Sequence, residues 1–90
     1  MELQEALNEL RFLPPNLVAD HLRQAGIKGK RQSAHQCPVA RFLSEKTGQE
    51  VSVCAFDLGN TNYFYATPPA VAEFIRLFDA GNFPDLEEKE

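Results

Sequence analysis

Ninety residues, 43% apolar and 24% charged with seven Phe and two Tyr, suffice for one hydrophobic core and exclude two independently stable domains, each of which would bury too little surface. No run of about eighteen apolar residues occurs, and the chain opens on Glu2 and Glu5 instead of a basic stretch followed by an apolar one, so neither a membrane span nor a secretion signal is expected. The net charge of −4 argues against general coating of nucleic acid, yet it is unevenly spread: one base faces four acids from Met1 to Leu22, six bases face one acid from Arg23 to Lys46, and two bases face eight acids from Thr47 onward.

Leu3, Ala6, Leu7, Leu10 and Leu13 recur at spacings of three and four, which predicts a first helix over residues 2–12 ended by Pro14-Pro15. Pro15 is acceptable at a first helical position, Val18, Leu22 and Ala25 supply an apolar stripe, and Gly26 is placed as a C-terminal cap, so a second helix is expected over 15–25. Residues 27–36 have no period and read as a loop. Cys37-Pro38 then repeats the grammar of a cap followed by proline, with Val39, Phe42 and Leu43 turned inward in a third helix over 38–46 and Gly48 beyond its end.

From Glu50 the period becomes two. Val51, Val53 and Ala55 alternate with Ser52, Cys54 and Phe56, a turn is expected at Leu58-Gly59-Asn60, and Tyr63 to Ala66 is rich in strand formers, which together predict one antiparallel hairpin. Thr67 is the expected cap of a fourth helix carrying Val71, Phe74, Ile75 and Phe78 on one face and ending at Gly81. A single α+β domain over 1–86, in the order α-α-α-β-β-α, followed by a disordered acidic tail at 87–90, is the resulting expectation.

Four features could carry chemistry. Cys37 stands at a helix N-terminus near His35, Arg31 and Arg41, where positive potential favours thiolate, with His35 as base or hydrogen-bond partner; the competing reading is a small buried cap. His21, His35, Cys37 and Cys54 lack the close ligand pairs of a zinc site, so no metal and no cofactor is expected. Lys28, Lys30, Arg31, His35 and Arg41 gather cations around a loop and a helix start, a candidate anion site without the frame of a phosphate-binding P-loop. Tyr63 and Tyr65 should share one hairpin face, opposite Phe64, as candidates for a protein interface.

The stretches Cys37-Pro38-Val39-Ala40-Arg41-Phe42-Leu43 and Pro69 through Leu86, with its Phe-Asp-Ala-Gly-Asn-Phe-Pro-Asp-Leu core, resemble small uncharacterised proteins of actinobacteria and their phages. That resemblance implies a source but no activity. The residues themselves favour a non-enzymatic, cytoplasmic protein-interaction or regulatory module, with both cysteines reduced, a protein partner, and a homodimer as one form of it. Two alternatives stand beside it: binding of nucleic acid or a phosphorylated ligand through residues 28–41, and cysteine-dependent redox or nucleophilic activity at Cys37.

Overall fold

Leu3, Ala6, Leu7 and Leu10 form the buried face of α1 (Leu3–Arg11) in a computed structural model that describes residues 2–61 and 63–88. In α2 (Pro15–Gln24), with proline in its first turn, Val18, Ala19 and Leu22 turn inward. The chain leaves α2 through Gly26 at φ +72°, and Ile27 N–H reaches back to the Leu22 carbonyl at 3.0 Å, closing the helix end on its own backbone. Cys37 opens α3 (Pro38–Thr47), whose buried side chains include Val39, Phe42 and Leu43, and left-handed Gly48 ends it. The most apolar helix, α4 (Pro69–Asp79), buries Val71, Ala72, Phe74, Ile75 and Phe78.

Between α3 and α4 lie three short strands, β1 (Ser52–Val53), β2 (Asp57–Gly59) and β3 (Phe64–Ala66), in an antiparallel meander of order β1-β2-β3. Val53 pairs with Leu58 and Leu58 with Tyr65, which aligns one inward row. α4 packs on α2 and α1, α1 on α3, and α3 on β1, so the helices close over that inner row and one core joins all the elements. Each fully buried Leu, Val or Phe in it contributes roughly 1.5–3 kcal/mol.

The α+β class and helix order agree with the sequence, and the strands differ from it. The chain turns already at residues 54–56, where Cys54 N–H bonds the Asp57 carbonyl at 2.9 Å and the Cys54 sulfur accepts the Asp57 N–H at 3.4 Å. Leu58 and Gly59, expected in the turn, therefore form the central strand, because burial of Leu58 outweighs the turn preference of its neighbours. The second turn is held by Asn60, whose side-chain oxygen accepts the Tyr63 N–H at 2.9 Å. Thr67 does not cap α4: its hydroxyl donates to the Cys54 carbonyl at 2.8 Å, and Pro68 occupies the cap position.

Past α4 the chain folds back. Gly81 and Phe83 take positive φ, the Phe83 ring stacks on Phe74 at 5.2 Å, and Leu86 closes a 3-10 turn at Pro84–Leu86 inside the core. Glu87 and Glu88, expected in a disordered tail, are instead held against the 28–31 loop by a parallel bridge between Gly29 and Glu87. The last two residues of that expected tail, 89 and 90, lie outside the described residues.

Candidate functional site

Three places collect the residues singled out by the sequence. At the first, the Cys37 sulfur accepts the Ala40 N–H at 3.3 Å and so satisfies one of the orphan donors at the start of α3. The side chain is only 3% exposed. Burial pushes the thiol up to about 11, and the backbone N–H groups of Ala40 and Val39 offset only part of that. His35 faces elsewhere, with Nδ1 3.2 Å from a Glu50 carboxylate oxygen at the surface. Cys37 and Cys54 both line a cleft of roughly 270 Å³ with Ile75, Arg76 and Asp79, just under the usual size of a small-molecule site. Cys54 is half-buried in the first turn of the meander instead of alternating within a strand under a helix. Among the described residues, no group of three or more His, Cys, Asp or Glu is arranged to hold a metal ion.

The second place is the basic loop. Arg31 pairs with Glu87 at 2.9 Å, and Arg41 pairs with Glu88 while donating to the Lys28 carbonyl at 3.0 Å. Lys30 and Arg31 line a surface cleft together with Glu87 and Glu88. Upstream, Arg23 is bracketed by Asp20 and Asp85. The Arg23 guanidinium holds the Asp85 carboxyl below its usual range, and Arg41 does the same for Glu88. Of the five side chains expected to await an external anion, Arg31, His35 and Arg41 thus face carboxylates of the same chain. The signal was present in the sequence as a basic middle block and an acidic end, but charge blocks do not reveal which residues meet.

The third place is the sheet. Tyr63 and Tyr65 stack at 6.5 Å and share a face as expected, yet Tyr65 packs against the core and only Tyr63, 60% exposed, remains available. On the opposite face, Phe64 lies directly across from Gly59 and is 73% exposed. A Cβ at Gly59 would come within 2.7 Å of the Phe64 ring, so the bare glycine is what lets this ring lie across the strand. Phe56, in the turn before β2, is 81% exposed. Phe64 and Phe56 were missed because a strand's alternation marks two faces without saying which one the helices cover.

Comparison with protein-family models, curated proteins and solved structures gives no match, and leaves the resemblance to actinobacterial and phage proteins as an expectation.

Proposed function

We propose that this is a non-enzymatic protein-interaction module of the cytoplasm, engaging a protein partner through Phe64, Tyr63 and Phe56. One observation carries the reading: Tyr63 and Phe64, on opposite faces of the sheet, and Phe56, in the turn before β2, stand exposed around three short strands, whereas Phe42, Phe74 and Phe78 are buried and the remaining exposed phenylalanine, Phe12, sits at the C-terminal end of α1. Exposed aromatics of this kind supply the anchors of protein interfaces. As one of the two outer strands, β3 also offers a backbone edge to which an incoming strand can add. Both cysteines are free thiols, compatible with a reducing compartment.

The alternatives have less support. Nucleic-acid or phosphate binding at residues 28–41 has to compete with Glu87, Glu88 and Glu50. Cysteine chemistry would need a thiolate where burial favours the thiol.

The test compares capture of a partner from host lysate by the wild-type chain, by Tyr63→Ser/Phe64→Ser, and by Arg31→Glu/Arg41→Glu. Loss of the same partner in the aromatic variant alone is the expected result. Equal capture by wild type and the aromatic variant, or loss only in the charge variant, overturns the reading.

A further inference from the structure

A second surface is marked by what the chain itself lays on it. Leu86 to Glu88 runs parallel to the 28–31 loop: Gly29 donates its N–H to the Leu86 carbonyl at 2.9 Å and accepts the Glu88 N–H at 2.8 Å. This is one rung of a parallel ladder, made by backbone alone. The residue between the two bonds, Glu87, is extended at φ −79° and ψ 126°. Successive side chains of an extended segment diverge, so Glu87 and Glu88 leave the backbone on different sides, and each meets its own guanidinium, Arg31 and Arg41.

The receiving edge is fixed in place. A Cβ on Gly29 would run into Pro38 N and come within 2.5 Å of the Gln36 carbonyl oxygen, so the loop lies hard against the start of α3, the helix that carries Arg41. The occupant is held less firmly. Leu86 is buried, but the pairs beyond it are partly solvated, and exposed ion pairs of this kind add little stability.

We propose that Gly29, Arg31 and Arg41 form a receptor for an extended acidic peptide of a partner protein, reading two successive carboxylates and one backbone N–H, with Glu87-Glu88 as its exchangeable resident. The N–H is what selects a peptide. A nucleic-acid strand presents acceptors on its phosphates and no backbone donor for the Gly29 carbonyl. The tethered resident competes at about millimolar effective concentration, so the site stays closed to weak ligands until residues 87 and 88 are displaced.

The experiment is an amide NMR titration of the full-length chain with a capped peptide containing Asp-Leu-Glu-Glu, with an Asp-Leu-Gln-Gln peptide and a single-stranded oligonucleotide as comparisons. Glu87→Lys/Glu88→Lys repels the resident from the two arginines. In this variant the acidic peptide should shift Gly29, Arg31 and Arg41 at roughly tenfold lower concentration than in wild type. Adding Arg31→Glu/Arg41→Glu inverts both pairs, restores the resident and abolishes the response. Glu87→Gln/Glu88→Gln serves the same purpose if the lysine variant does not fold. No response to the acidic peptide, an equal response to the Gln-Gln peptide, or stronger binding of the oligonucleotide at these amides overturns the proposal. None of these changes touches Tyr63, Phe64 or Phe56, so this receptor and the aromatic interface can fail separately.

Discussion

At Cys37 a single atom decides between two chemistries. Its sulfur caps α3 from inside the core, and burial raises the thiol to about 11. An unfolded chain ionises this thiol near its ordinary value, so between about pH 9 and 11 the unfolded state has released a proton that the folded state keeps. Stability therefore falls as pH rises through that window, by on the order of 2 kcal/mol at its end. Cys37→Ser, which has no group ionising there, should show a shallower fall in urea midpoints measured from pH 8.5 to 10.5. Equal slopes would mean that the thiol is not buried as described. Cys54, half-buried, should be alkylated first in the folded protein. Nearby, Gly29→Ala drives a methyl group into the backbone at Gln36 and Cys37. Overpacking of this kind costs about 1–3 kcal/mol or more, and a denaturation midpoint unchanged by the substitution would contradict the close approach.

Whole elements follow most directly from the sequence where the pattern is long. The stripes of α1, α2 and α4 and the Cys37-Pro38 start of α3 are legible because helical periodicity spans several turns and proline fixes the starts of α2, α3 and α4. The strands contain only two or three residues each, too few for alternation to fix a register, and the turn at residues 54–56 depends on a cysteine sulfur accepting a backbone N–H. The C-terminal arm is the least legible element. Of its anchors, Phe83 on Phe74 depends on the reversal of the chain at Gly81, and Asp85 on Arg23 joins residues far apart in the chain. Its acid sensitivity follows from the pairings. Arg23 and Arg41 hold the Asp85 and Glu88 carboxyls below their usual range, so their contribution is complete above the ordinary carboxylate pKa and is lost as pH falls through the depressed values. Below about pH 4 the amide signals of Glu88 and Gly29 should move together while helical circular dichroism is retained. Signals that stay fixed until the helices melt would show that the ion pairs do not hold the arm.

Taken as a whole, the molecule uses its charge blocks on itself. The basic middle and acidic end, which side by side in sequence suggested an external anion, are joined through Arg23, Arg31 and Arg41 to Asp85, Glu87 and Glu88. What remains outward includes a modest net negative charge, Phe12 at the end of α1 and a sheet carrying exposed aromatics, the features on which the proposed protein partner rests. If three long-range pairs help close the chain, added salt should weaken the fold, since screening acts on partly solvated pairs at the surface. The repulsion of a net charge of −4 is screened as well and pulls the other way, so the change is small. Raising NaCl from about 0.05 to 0.5 M should lower Tm by about one to a few degrees. The Arg31→Glu/Arg41→Glu variant, in which like charges face Glu87 and Glu88, should instead gain stability with salt. A wild-type Tm that rises over the same range would mean that net repulsion outweighs these pairs. The arm would then be held chiefly by Phe83, Leu86 and the backbone bonds to Gly29.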